Sequence, residues 1–505
     1  MKIKETLKKL KPDTSNKKIN YIVTGVCLVF ALAIFILSSC QFISFRNYET
    51  EFVLRENVVD DVLKFHEYSK YLEGTSGDSN IYVINGTENT VALVKAENAE
   101  TYAETIPADA KLCAVESNVD QIAAAQQTLG LTDEDITKVA GVSDAVQGVK
   151  DGTYDVAILR HGDAKLEVGE ESGLVIAEAE VEKVPSLLVI GGTHPNEPAG
   201  QLTATVFLEN AVVQRGILYV VTELNRSAYS HSQPQEGSPW YYEFEVDGTT
   251  RTFKYGARAS NFVDQWPTPD VYTHSSGQQL SSSEVRNINR AYPGSETGSY
   301  TEQIAWAITN FVNQENVTMV IDLHEASPEY EVINACVYHQ DSANIASNAS
   351  LFGFQTIGND IKMEVSALNL HGLTHRELGD YTSAYVFLFE TSNASQGKIH
   401  GKFTSDLILY DDYVDKFYEA SLEKGLLYAK ATSINERVAR HVESVSSIID
   451  GFNLSDCYSR SSFEYSYLEN PPESAYLGQF LISGIPVYSD VMDNGVASYL
   501  LPSEL

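Results

Sequence analysis

At 505 residues with 43% hydrophobic and 21% charged side chains, the chain has the balance of a folded protein and excludes a disordered one. It is also too long for one small fold, because single cores rarely grow past ~250–300 residues. A formal charge of −34 excludes a nucleic-acid binder, which needs Lys and Arg to neutralise phosphates. The cysteines, Cys27, Cys40, Cys113, Cys336 and Cys457, form no Cys-x-x-Cys pair and so offer neither a disulfide framework nor a cysteine zinc site.

Residues 1–18 hold seven lysines against Glu5 and Asp13 and read as a basic cytoplasmic tail. Residues 19–45 then carry no charge, and the stretch from Tyr21 to Leu37 is almost wholly apolar, long enough to span a bilayer as a helix. The positive-inside rule keeps the tail in the cytoplasm and places everything after the anchor outside. A cleaved signal peptide and a lipoprotein signal ending at Cys40, in Leu37-Ser38-Ser39-Cys40, are the lesser readings. The long charged region and the apolar QFISF after Cys40 favour an uncleaved single-pass anchor.

From 46 to 183 short strands alternate with helices. NIYVINGT, TVALVKA, KLCAVES and YDVAILRHG have strand patterns, and VVDDVLKFHEYSKYL and DQIAAAQQTLGL have helical ones. This is a small α/β domain whose layout resembles one lobe of a periplasmic solute-binding protein.

A second α/β domain is expected over 184–431. VPSLLVIGG is a buried-type strand, PAGQLTATVFLENAV a helix and GILYVVTEL the next strand. TEQIAWAITNFVNQ follows as a helix, with VTMVIDL, EVINACVYH and SAYVFLFE as further strands. Such interleaving predicts a mixed sheet covered by helices on both faces. The Ser-, Gly-, Pro- and Tyr-rich stretch from Ser227 to Ser283 reads as an insertion of loops and hairpins near the site, and 432–505 as a C-terminal extension without a legible motif.

A catalytic zinc ion needs three nitrogen or oxygen ligands and an open position. In IGGTHPNEPAG, His194 and Glu197 stand three apart between a strand and a helix, and in VIDLHEASPEY His324 closes another strand. Ends of neighbouring strands are where open α/β sheets bind ligands. Asp322, on the same strand face as His324, is placed to accept a hydrogen bond from a ligating imidazole. His371 and His375 in HGLTHRE have i, i+4 spacing, but Gly372 argues against a helix, so they read as loop residues, with His375 and Arg376 as candidate substrate contacts.

These motifs resemble the succinylglutamate desuccinylase/aspartoacylase family, a branch of the zinc carboxypeptidase superfamily. The resemblance runs through GGTHPNEPAG, INRAYPG, DLHE and FLFET, in that order, and covers about Val184 to Lys402. One His-x-x-Glu occurs often by chance, whereas four ordered motifs do not. The resemblance implies a zinc-carboxypeptidase-like fold, with one Zn2+ on His194, Glu197 and His324. It further implies a carboxylate-binding Asn289 and Arg290, and Glu390 as general base. It also implies an arginine that polarises the scissile carbonyl, with Arg258 and Arg286 both open for that role. Glu325 stands where aspartoacylases have Asn, so their substrate does not carry over.

The expected reaction is hydrolysis of an amide beside a free carboxylate in a small molecule or peptide. Zinc makes a nucleophile available near neutral pH and Glu390 shuttles the proton. A planar guanidinium at Arg290 suits bidentate carboxylate binding. An N-acyl amino acid deacylase is the first reading, a metallocarboxypeptidase on peptides or cell-wall stem peptides the second. A non-catalytic binding receptor is the reading from another class.

Overall fold

The computed structural model describes residues 28–33, 81–231, 239–246, 249–354, 361–410, 416–455 and 464–466. The chain divides into two compact units, Met1–Asn57 and Val58–Leu505. In the first, the expected anchor falls outside the described residues except for 28–33, which are helical. Among the described residues no helix is long and apolar enough to cross a membrane. The expected helix VVDDVLKFHEYSKYL also lies outside the described residues.

The second unit is a mixed α/β structure built on two sheets. Its strands in chain order begin with β1 (Ile81–Asn85), β2 (Thr90–Lys95), β3 (Leu112–Val115), β4 (Ile136–Val139), β5 (Val156–Arg160) and β6 (Leu174–Ile176). Then come β7 (Ser186–Ile190), β8 (Val212–Arg215), β9 (Ile217–Val221) and two hairpins, β10–β11 (Tyr241–Val246, Thr249–Lys254) and β12–β13 (Val271–Thr273, Gln279–Ser281). The last are β14 (Met319–Ala326), β15 (Ala335–Tyr338), β16 (Lys362–Val365), β17 (Tyr385–Ser392) and β18 (Glu464–Ser466).

The smaller sheet has the order β4-β3-β5-β2-β6. Helices α1 (Val119–Leu129) and α2 (Val142–Asp151) each end on a left-handed glycine, Gly130 and Gly152, the residue that adopts this C-terminal conformation without a Cβ clash. Two apolar clusters form, one holding Ile122 of α1 with Val156 and Ile158, the other Val146 and Val149 of α2 with Ala157 and Leu159. Alternate residues of β5 thus serve opposite faces, as period-2 geometry requires.

The larger sheet has the order β1-β9-β7-β14-β17-β15-β16, with β9, β7, β14 and β17 parallel. Strand β1 pairs antiparallel with β9. NIYVINGT is therefore a strand as read, but it belongs to this sheet and not to the smaller one. From β7 the chain moves outward to β9 and then returns to the other side of β7 as β14, a reversal that opens a crevice at the strand ends.

Two cores sandwich this sheet. On one face Leu187, Val189, Met319, Ile321, Leu323, Phe387 and Phe389 pack on α3 (Pro198–Asn210) and on a long C-terminal helix, Ile434–Asn453. On the other, Leu188, Ile190, Val320 and Val386 pack on α4 (Tyr300–Gln314), whose start is fixed by a capping box of Ser299 and Glu302. Helix α3 is buried from Pro198 to Glu209, which explains its apolar circumference and the proline at its first turn. Each fully buried Leu or Phe here contributes about 1.5–3 kcal/mol of transfer free energy. Gly200 makes the approach possible: a Cβ there would meet the Leu323 carbonyl oxygen at 2.4 Å.

Candidate metal centre

Three elements bring the polar residues together at the crevice. After β7 the chain turns at Gly192, with φ +68°, where a Cβ would also meet the Tyr229 hydroxyl at 2.7 Å. The turn delivers His194 and then Glu197, the residue immediately before α3. Strand β14 supplies Asp322 and His324 from the face opposite Ile321 and Leu323. Strand β17 runs parallel to it with Glu390 paired to His324, so both side chains leave the sheet on the same face.

His194, Glu197 and His324 are buried and converge. His194 Nδ1 lies 2.8 Å from Glu197 Oε1, His324 Nδ1 lies 2.9 Å from Glu197 Oε2, and the two Nδ1 atoms are 3.1 Å apart. Ligand atoms ~2.0 Å from one tetrahedral zinc ion would be roughly 3.3 Å apart. Among the described residues these three form a cluster whose ligand atoms all lie within 4.8 Å of one another. The far nitrogens support the same assignment. His194 Nε2 is 2.8 Å from Asn287 Oδ1, and His324 Nε2 is 2.9 Å from Asp322 Oδ2. At His194 the Asn287 oxygen keeps the proton on Nε2 and leaves the Nδ1 lone pair for a cation, and at His324 the Asp322 carboxylate lies beside Nε2. Asp322 is itself held by hydroxyls of Thr193 at 2.8 Å and Thr374 at 2.6 Å. Two imidazoles and a carboxylate with oriented outer partners fit a catalytic zinc site.

The charges in this pocket shift one another. Burial alone would raise Glu197, but His194 and His324 outweigh it and hold its carboxyl well below the usual range. Burial likewise opposes charge on His324, yet Asp322 and Glu197 raise it well above an ordinary imidazole. His194 is lowered by burial and by Arg258. Glu390 is pushed up to about 8, first by burial and then by the Glu197 carboxylate against the pull of His324. Its Oε2 is buried without a hydrogen-bond partner among the described residues, a group prepared for a ligand or a proton.

Of the two candidate arginines, Arg258 reaches the cluster: Nη1 lies 3.1 Å from Glu197 Oε1 and 3.3 Å from His194 Nδ1. Arg286 instead donates to the Ser260 carbonyl and ties down the insertion. Arg290 is partly exposed, with Nε 3.1 Å from Glu284 Oε2, while Glu284 Oε1 is 3.3 Å from Nε of Arg258. Glu284 thus bridges two partly exposed guanidiniums. Asn289 is buried and accepts from the backbone N–H and the hydroxyl of Thr374.

His375, read as a loop residue, lies instead in the first turn of α5 (Thr374–Tyr381), with Arg376 beside it. Gly372 does not interrupt this helix because it precedes it. His375 Nδ1 is 2.8 Å from the Ser366 hydroxyl, and Arg376 is fully buried with a fork on Asp380. His371 stays in the preceding loop, 3.0 Å from Glu377 Oε1.

Asn287, Glu284 and Thr374 are the site residues that motif reading misses. Asn287 stands two positions before Asn289 and caps the 3-10 segment Ile288–Arg290, and only its contact with His194 distinguishes it from a turn residue.

No protein-family model matches the chain, and no curated protein does. Solved structures similar to it include product-bound Cell Shape Determinant protein Csd4 from Helicobacter pylori, at 13% identity and TM-score 0.33 over 57% of this chain and 54% of that one. The mDAP-bound form of that protein is described as a D,L-carboxypeptidase. They also include a succinylglutamate desuccinylase/aspartoacylase from Rhodobacter sphaeroides, at 14% and 0.29 over 53% of this chain and 55% of that one. A third is the ectoine utilization protein EutE from Ruegeria pomeroyi, at 14% and 0.26 over 50% and 60%. The chain thus spans little more than half the length of these proteins, one of which bears the name of the family that the four sequence motifs resemble.

Proposed function

We propose that the protein is a zinc-dependent hydrolase that cleaves an amide bond beside a free carboxylate, of the N-acyl amino acid deacylase type. The observation that carries this reading is the convergence of His194 Nδ1, Glu197 and His324 Nδ1, with Glu390 on the adjacent strand in register with His324. Zinc on these three residues supplies Lewis-acid polarisation and a nucleophile available near neutral pH.

The protein's own groups divide the remaining work. Glu390, with one carboxylate oxygen unpartnered, takes a proton from water and returns it to the leaving nitrogen. Arg258, beside Glu197, places positive charge where the carbonyl oxygen gains negative charge. Arg290, next to Asn289 at the opening, binds the substrate carboxylate. The charge-free segment 19–45 behind a lysine-rich tail supports a membrane-anchored position with the hydrolase outside the cytoplasm.

The test joins metal analysis with an activity comparison. The purified protein is expected to hold one zinc per chain, and Glu390→Gln to keep the zinc but lose turnover. N-acyl aspartates and glutamates are assayed beside peptides with free carboxyl ends. Release of amino acids from the peptides alone would replace the deacylase with a metallocarboxypeptidase, and full turnover by the Gln variant would mean a different base.

A further inference from the structure

Strand periodicity gives the metal centre a second side. Asp322 and His324 leave β14 on the α4 face, so the next residue, Glu325, points to the opposite face. The same holds on β17, where Thr391 follows Glu390. That opposite face is covered by the C-terminal helix α6 (Ile434–Asn453), whose Val438, Val442, Val445 and Ile448 join the core with Phe389 and Leu202. One turn apart on α6 stand Arg437 and His441, both fully buried.

Each meets the residue that follows a site residue. Arg437 Nη1 pairs with Glu325 Oε1, and its Nη2 donates to the Ile408 carbonyl. His441 Nε2 lies 3.4 Å from the Thr391 hydroxyl. Glu325 passes the constraint on in two ways. Its Oε2 accepts the Ala199 N–H at 2.8 Å, at the first turn of α3, two residues from Glu197. Its own backbone N–H donates to Glu197 Oε2 at 3.1 Å. The Glu325 carboxylate, on a residue 2% exposed, therefore ties the start of α3 to the end of β14, the same stretch of backbone whose N–H holds Glu197, and Arg437 is its countercharge. A buried carboxylate deprived of that partner is an uncompensated charge and has to move.

Building on the metal-centre reading above, we infer that Arg437 and Glu325 form a positioning pair for the metal ligands, set on the far side of the sheet from the chemistry. Neither touches the substrate or the reacting atoms; the pair acts through Glu197 and His324.

The test uses the full chain and the variants Glu325→Gln, Arg437→Met and the double variant. The readouts are zinc affinity by competition with a chromophoric chelator, the visible spectrum of the cobalt(II)-loaded protein, and thermal unfolding followed by circular dichroism. Gln keeps the shape of Glu325 and an acceptor for Ala199, so this variant is expected to fold and decides the matter even if Arg437→Met does not. The expected result is a zinc affinity about 10–100-fold weaker, the range seen when outer partners of metal ligands are lost. It comes with a shifted cobalt spectrum and a cooperative melt. The double variant is expected to be no weaker than the worse single one, because the two residues act as one unit. Folded Glu325→Gln and double variants that bind zinc within twofold of the parent, with the parent's cobalt spectrum, would overturn the pair's role and leave the metal centre standing. A parent protein that binds no zinc would overturn the metal centre and the pair together.

Discussion

The Asn287 side-chain oxygen lies 2.8 Å from Nε2 of His194, and this contact decides which imidazole nitrogen is free. It keeps the proton on Nε2 and turns Nδ1 toward Glu197 and His324. Asn287→Ala is therefore expected to weaken zinc binding about 10–100-fold while Asn287→Asp, which still accepts, retains most of it. Chelator competition on both variants checks this, and equal losses would show that the acceptor does not matter.

Arg258 and Arg286 are separated by geometry where sequence spacing leaves them equivalent. Arg258→Ala is expected to lower kcat about 10²–10³-fold, the usual loss when a donor to a developing oxyanion is removed. Arg286→Ala, which removes a bond to the Ser260 carbonyl, is expected to change stability more than the rate constants. Steady-state kinetics and a melt on the two variants test the distinction, which fails if their kinetic losses are interchanged.

In the proposed reading Arg290, paired with Glu284, recognises the substrate's carboxylate. Arg290→Ala is expected to raise KM at least about tenfold with a smaller effect on kcat, and Arg290→Lys to recover little of it, because an ammonium lacks the planar fork. Comparing KM for a substrate with its carboxamide analogue gives the check: a variant that still prefers the carboxylate as strongly as the parent rules out this contact.

The raised Glu390 pKa predicts how the metal-free protein responds to pH. The group titrates near 4.5 in the unfolded chain and at about 8 in the folded one, so between these values the folded state binds more protons. The stabilisation is complete below the unfolded value and is lost as pH rises through the folded one. Relative to Glu390→Gln, the metal-free parent is thus expected to lose Tm from about pH 5 to about pH 8. Parallel slopes for the two proteins would place the titration elsewhere.

The candidate metal ligands are legible in the sequence because short motifs carry them, His194 and Glu197 in the loop between β7 and α3 and His324 in the second half of β14. Glu390 is legible for the same reason, and its register with His324 follows from two adjacent parallel strands. Other features depend on contacts between distant segments. The pattern of NIYVINGT shows a strand but not its partner, and β1 joins β9 across more than a hundred residues. A glycine's punctuation is equally local: Gly372 in HGLTHRE reads as a break, while the helix that buries His375 starts two residues later because Thr374 is held by Asn289 and Asp322. Nothing near Arg437 in sequence points to Glu325, since an ion pair between a strand and a helix 112 residues later leaves no local pattern.

The position of α6 also bears on how the protein is made. Glu325 leaves the ribosome long before Arg437 does, so a growing chain can complete β14 and α3 while that carboxylate still lacks its countercharge. The candidate metal pocket of such a chain lacks the Arg437 contact until α6, the last helix among the described residues, has been made.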